Sequence, residues 1–189
     1  EVIQLEIMGD VATTPTVNAR NVNDPMSNRQ WGWDAIQGDQ VHAFLKSSGI
    51  KPKKVAFIAI VDSGVDAQHE DLKTQFQSNG TANDTDPLGH GTHCAGIAAA
   101  VSNNGLGIAS LIPDASFDMG ADVISMSLGS ISSDSRQKAY EEAVKYANAK
   151  GSIVIAAAGN SNQNAKDYSP ANAKGIISVS ALGPDQRKA

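Results

Sequence analysis

Apolar residues in this chain gather into four short runs, and each run stops abruptly at glycine or a polar residue. The first, VAFIAIV at 55–61, follows the basic loop KPKK and ends at Asp62, Ser63 and Gly64. The others are DVISMSL at 122–128, SIVIAAAGN at 152–160 and GIISVSA at 175–181. Strand-length apolar runs without polar alternation mark strands covered on both faces, as in a parallel sheet. Between the second and third runs, Ala139, Ala143, Val144 and Ala147 recur at helical spacing. Asp134 or Ser135 is placed to cap that helix and Gly151 to end it. Strand, helix, strand in this order predicts a βαβ unit, and hence an α/β fold whose ligands bind beyond the carboxyl ends of the strands. Asp62 and Asn160 both stand at such ends. Ahead of the first run, EVIQLEI alternates like a strand, and GDVATTPTVNARNVNDP is turn-rich and reads as a linker.

Composition narrows the classes of partner. A chain of 189 residues with 41% hydrophobic content is long enough for one full α/β domain and cramped for two. Its net charge of −5 argues against a nucleic-acid partner, because phosphate binding depends on Lys and Arg neutralising a line of negative charge. Cys94 is the single cysteine, so no internal disulfide can form. No run reaches the ~18 apolar residues of a membrane span, and EVIQLEI lacks the basic start and long apolar stretch of a signal peptide. The expectation is a chain with no membrane and no nucleic-acid partner. Two N-x-T triplets, at Asn79 and Asn83, match glycosylation acceptors only weakly.

The stretch DPLGHGTHCAGIAAA, residues 86–100, sets two histidines before a small-residue helix and admits several chemistries. A dinucleotide turn needs G-x-G-x-x-G directly after a strand; here Gly89 and Gly91 are followed by Cys94, and the preceding residues are loop-like. A metal site could draw on His90, His93, Cys94 and Asp62, but a second ligand pair at metal-binding spacing is missing. Cys94 as nucleophile lies one turn from His90, yet it opens an Ala- and Ile-rich face where a thiol is usually packing. The remaining reading makes His90 a general base held by a carboxylate from the end of the first strand. An imidazole working near neutral pH needs an acid on one nitrogen to fix its tautomer and stabilise its charged form, and Asp62 is the obvious acid.

Taken together, these stretches resemble the subtilisin-like serine proteases, near their thermitase and proteinase K branches. VAFIAIVDSGVDAQHEDL is similar to the family's aspartate motif, GHGTHCAGIAAAVSNNGLGIA to its histidine motif, GADVISMSLGS to its substrate-binding strand and VIAAAGNSN to its oxyanion motif. NDPMSNRQWGWDAI resembles the start of the mature enzyme, so the likeness runs from about Asn23 to Ala189. The resemblance implies a three-layer α/β/α fold with a mainly parallel sheet, and a serine endopeptidase acting on extended polypeptides. Under it Asp62 orients and stabilises His90, His90 relays the serine proton, and Asn160 donates to the oxyanion. Ser127, Leu128 and Gly129 form the substrate strand; Ala157, Ala158 and Gly159 wall the P1 pocket opposite. His93 becomes structural and Cys94 a free thiol beneath His90. Asp24, Asp71 and Asn103 fall where the family often holds calcium (Ca2+), although as oxygen-bearing turn residues they equally suit ordinary turns. The resemblance further implies a secreted monomer made as a precursor with a propeptide inhibitor, residues 1–22 being linker or propeptide remnant and 23–189 the catalytic domain.

The chain also departs from the family pattern. The nucleophile of the family lies in a late G-T-S-x-A motif opening a helix, and of the serines after Asn160, namely Ser161, Ser169, Ser178 and Ser180, none has that setting. In addition, GIASLIPDASFDMGADVISM runs almost straight from the histidine helix to the substrate strand, where relatives interpose a strand, an edge segment and a helix. Either the chain is a shortened, non-catalytic relative that binds peptides, or it joins parts of a longer protease. A parallel sheet stripped of such elements exposes apolar strands and unpaired backbone, which favours the second reading and predicts a discontinuity near Phe117–Asp118.

Overall fold

The computed structural model describes residues 20, 22–49, 55–77, 84–111, 120–185 and 187. Each of the four apolar runs holds a strand: β1 (Ile58–Ile60), β2 (Val123–Met126), β4 (Ile153–Ala157) and β6 (Ile177–Val179). They lie in the order β1-β2-β4-β6, every pair parallel. The strands are shorter than the runs that announced them. Two residues beyond Ile60 the chain is already at Asp62, and three beyond Ala157 at Asn160, so both polar residues stand just past carboxyl ends of parallel strands, β1 and β4, that flank β2.

Helix α3 (His90–Ala99) lies between β1 and β2 in sequence, and α4 (Asp134–Ala149) between β2 and β4. Registry places them on opposite faces. Ile58 and Ile60 pack with Val65, Leu72, Ala95 and Ala99, the last two from α3. Ile124, Met126, Val154 and Ala156 pack instead with Tyr140, Val144 and Ala147 of α4. Ile58 pairs with Val123 and Ala59 with Ile124, so the α3-facing and α4-facing residues alternate across the ladder. The result is the α/β/α layering expected, with two separate apolar clusters. On the α3 side of β6, Ile177 and Val179 remain 50% exposed.

The cap of helix α4 lies one residue ahead of the expected Asp134: Ser133 is the N-cap, its hydroxyl accepting from Arg136 N–H, while Gly151 just beyond the end takes a positive φ of 93°. A short antiparallel pair, β3 (Ser130–Ile131) with β5 (Tyr168–Ser169), sits beside the main sheet.

Two helices had no clear sequence signal, α1 (Trp31–Ala35) and α2 (Gly38–Ser48). They are stitched to the loop after α3. Gln30 exchanges two hydrogen bonds with Ala109, Met26 N–H donates to Gly107 O, and His42 Nε2 meets Leu111 O at 2.8 Å. Arg20 falls inside the segment read as linker, yet its side chain is only 4% exposed and donates to Asp34 and to Gln30 O. The EVIQLEI strand, the N-x-T triplets as wholes and the Phe117–Asp118 junction lie outside the described residues. Among the described residues, no helix is long and apolar enough to cross a membrane.

Candidate active site

Asp62 and His90 meet although 28 positions separate them, His90 Nδ1 lying 2.6 Å from Asp62 Oδ1. The side chains are 10% and 2% exposed for His90 and Asp62 respectively. The local sequence explains the meeting. β1 delivers Asp62 to the sheet's carboxyl edge, and α3 begins at His90 itself, so the ring projects from the first helical position. Glycines allow the two segments to touch: a Cβ at Gly91 would overlap Gly64 O and come within 3.1 Å of Asp62 Cβ, and one at Gly64 would overlap Thr85 O. Gly64 also has a φ of 116°, open to glycine far more than to other residues. Asp62 Oδ1 additionally accepts the N–H of Ser63 at 2.7 Å. Because a carboxylate only accepts, Nδ1 of His90 carries the proton in this contact and Nε2 is left as the acceptor nitrogen. Nε2 is buried and has no partner among the described residues.

Cys94, one turn along α3, places Sγ 4.0 Å from His90 Nδ1. Burial pushes its thiol up from the ordinary range; a hydrogen bond with Ser127 works against that rise, and the nearby Asp62 and Asp86 carboxylates add to it. Asp62, His90 and Cys94 therefore cluster within 4.8 Å. His93 is exposed on another face of α3 and outside this cluster. The His90–His93 metal pairing is not assembled.

The remaining cleft residues converge as a group. Ser127, Leu128 and Gly129, which follow β2, face Ala157, the last residue of β4, and Ala158, Gly159 and Asn160, which follow it, across one concave pocket. Tyr168 and Ala171 complete its wall. These two were missed in the sequence because nothing in their spacing ties them to β2 or β4. They are held by a half-buried polar network in which Ser132 and Ser169 share a 2.6 Å contact and Asn172 bonds both hydroxyls.

The model of the subtilase family matches residues 53–189, well over half of the chain. This chain belongs to the subtilase family. The subtilase is 39% identical over 197 residues to thermitase of Thermoactinomyces vulgaris, the alignment covering 88% of this chain and 67% of thermitase. It is 35% identical to a thermophilic serine proteinase of Bacillus sp. (strain AK1), with 84% of this chain and 43% of that protein covered. Among solved structures, a protease of Pseudoalteromonas arctica PAMC 21717 superposes with a TM-score of 0.72 at 25% identity, over 89% of this chain and 68% of that one. The subtilase chain thus spans between about two fifths and two thirds of the length of these relatives.

Asp24, Asp71 and Asn103 come together around the loop after α3. Asp24 accepts the N–H groups of Asn103 and Asn104, at 2.8 and 3.1 Å. Asp71 accepts Asn104 Nδ2 at 2.7 Å and Ile108 N–H at 3.0 Å. Asn103 Oδ1 accepts Asn23 N–H at 3.3 Å. In this subtilase the two carboxylates, 3% and 2% exposed, thus clasp the loop after α3, Asp24 to the N-terminal segment and Asp71 to the segment after β1.

Proposed function

We propose that the chain supplies the acid–base couple, oxyanion donor and substrate cleft of a serine endopeptidase. The observation that carries this reading is the 2.6 Å Asp62–His90 contact with the opposite nitrogen, Nε2, buried and unpartnered. Nε2 takes the proton of a serine hydroxyl as that oxygen attacks the scissile carbonyl. Asp62 stabilises the resulting imidazolium and keeps the ring in the tautomer that makes Nε2 basic. Nε2 then hands the proton to the departing amine. Asn160, on the rim of the pocket, donates its side-chain amide to the oxyanion of the tetrahedral intermediate. The Ser127–Gly129 segment pairs with an extended polypeptide as an added strand, and the small Ala157, Ala158 and Gly159 leave room for a sizeable P1 side chain. The Bacillus relative is a serine proteinase by name and the Pseudoalteromonas structure a protease, which disfavours a peptide-binding module without chemistry.

The nucleophile in this reading is a serine outside these 189 residues. Ser169 is 1% exposed and engaged with Ser132 and Asn172, and among the described residues no serine hydroxyl is hydrogen-bonded to His90. Secretion, a monomeric state and a propeptide inhibitor accompany the reading by family likeness. The test is reaction of the full-length protein with a fluorophosphonate, followed by intact mass. One adduct is expected, its formation slowed by orders of magnitude in Asp62→Asn and His90→Gln. No adduct, or an adduct indifferent to His90, would refute the assignment.

Structural calcium is a separate proposal resting on Asp24, Asp71 and Asn103. Each carboxylate oxygen already accepts an N–H, so a cation would be held on the second lone pairs. Melting with and without EDTA decides it: a Tm that rises with calcium supports the ion, and a Tm indifferent to it leaves the N–H donors as the whole clasp.

A further inference from the structure

Helix α3 has a glycine as its N-cap, with no side chain to receive the orphan N–H groups of its first turn. Those groups are satisfied from a distance. Thr92 donates both its N–H, at 2.8 Å, and its hydroxyl, at 2.7 Å, to Asp86 Oδ2. Gly91 N–H donates to Ser63 Oγ at 3.0 Å, and Ser63 Oγ in turn donates to Asp86 Oδ1 at 2.8 Å. Leu88 N–H reaches the same oxygen at 3.2 Å. Ser63 is the neighbour of Asp62 and gives its own N–H to Asp62 Oδ1, the oxygen that His90 contacts. Thr92 Oγ1 also accepts Asp66 N–H at 2.9 Å, adding a second tie to the segment after β1.

One carboxylate therefore grips both bodies that must be registered against each other: the helix that starts with His90, and the strand end that carries Asp62. We propose that Asp86 is a positioning residue for the Asp62–His90 couple, acting through Ser63 on one side and Thr92 on the other. Its hydrogen bonds among the described residues do not include His90, and it does not line the pocket. Its effect is to hold α3 at the height where the imidazole reaches Asp62, a function for which a displacement near 1 Å is costly to chemistry, up to ~100-fold. The four donors from Ser63, Leu88 and Thr92 fit this role better than a simple helix cap, because a cap serves only the helix and one of these donors belongs to the opposite segment.

The inference rests on the reading of Asp62 and His90 as a proton-transfer couple, and its test keeps the two separable. The full chain is labelled with 15N-histidine, and the hydrogen-bonded Nδ1–H proton of His90 is followed by NMR in the parent, Asp62→Asn, Asp86→Ala and Ser63→Ala. In the Asp86 and Ser63 variants the downfield signal should move upfield and exchange with water about tenfold faster or more, with the fold retained by circular dichroism. In the full-length enzyme, kcat should fall about tenfold while KM stays within about twofold, the split expected of lost positioning and not of lost binding. Should Asp86→Ala fail to fold, Ser63→Ala carries the test, since it cuts the bridge while leaving Asp86 on Thr92. Variants that melt earlier but keep the parental signal and kcat would overturn the proposal and leave the couple standing. A signal that Asp62→Asn does not disturb would overturn the couple itself, and the positioning role with it.

Discussion

Replacing Gly91 by alanine sets two effects of opposite sign against each other. Alanine is a better helix former than glycine by about 1 kcal/mol, so on propensity alone α3 would gain stability. Packing reverses this. The new methyl would overlap Gly64 O, and Asp62 Cβ would be 3.1 Å away. Neither neighbour is the far end of a flexible side chain. Carbon-to-oxygen contacts settle near ~3.4 Å, so relief takes a shift of about an ångström between the start of α3 and the segment after β1. Overpacking of this kind costs roughly 1 to 3 kcal/mol, enough to cancel the propensity gain and leave a net loss of up to about 2 kcal/mol. The same shift acts on the 2.6 Å Asp62–His90 contact, which at about 3.6 Å no longer counts as a hydrogen bond. Urea unfolding should show the lower midpoint at unchanged slope, and phosphonylation of the full-length protein should slow by about tenfold or more. A Gly91→Ala protein as stable as the parent and phosphonylated at the parental rate would refute the close-approach reasoning.

Three further outcomes follow from other parts of the molecule. Burial alone would raise the Asp86 carboxyl, but hydrogen bonds from Thr92, Ser63 and Gly89 outweigh it and hold it at about 2, below its ordinary 3.8. The stability it contributes is complete above about pH 4 and is lost as pH falls towards 2; allowing for solvent screening it amounts to about 1 to 2 kcal/mol, so the urea-stability gap between parent and Asp86→Asn should narrow by that amount from pH 6 to pH 2. Cys94, with its thiol raised by burial, should resist iodoacetamide at pH 7.5 in the folded chain and take up one equivalent after denaturation; rapid native alkylation would contradict its placement. Asn172→Ala removes one hydrogen-bond partner from each of the Ser132 and Ser169 hydroxyls, leaving them only each other, and should cost about 1 to 3 kcal/mol in urea unfolding, whereas a neutral result would show that the network rearranges freely.

What the chain disclosed in advance, and what it withheld, follows from the range of the forces involved. The strands β1, β2, β4 and β6 were legible because burial on two faces demands a local run of apolar residues, and such a run is visible in a short window. Asp62 and His90 were legible because a turn after a strand and a glycine-flanked helix start are local features that each imply a partner. Helices α1 and α2 gave little warning: Phe44 is 60% exposed and Trp33 is buried against Gly38, so neither helix presents a clean apolar stripe. The Asp86–Ser63–Thr92 bridge left no trace, since an aspartate accepting remote N–H and O–H groups has no characteristic spacing. Arg20 looked like linker because its burial depends on Trp33 and Asp34, residues that its own neighbourhood does not foreshadow.

The two apolar clusters divide the molecule's responsibilities. Asp62 and His90 are carried by elements anchored in the cluster of Val65, Leu72, Ala95 and Ala99, while the cleft segments leave strands anchored in the cluster of Met126, Val144, Val154 and Ala156. Mutations that reshape the cleft are absorbed by a different core from the one that registers the imidazole, and substitutions at sites without shared partners combine almost additively. Under the proposed function, this separation makes preference for substrate evolvable: side chains around the pocket can drift from one diet to another while the Asp62–His90 couple is inherited unchanged.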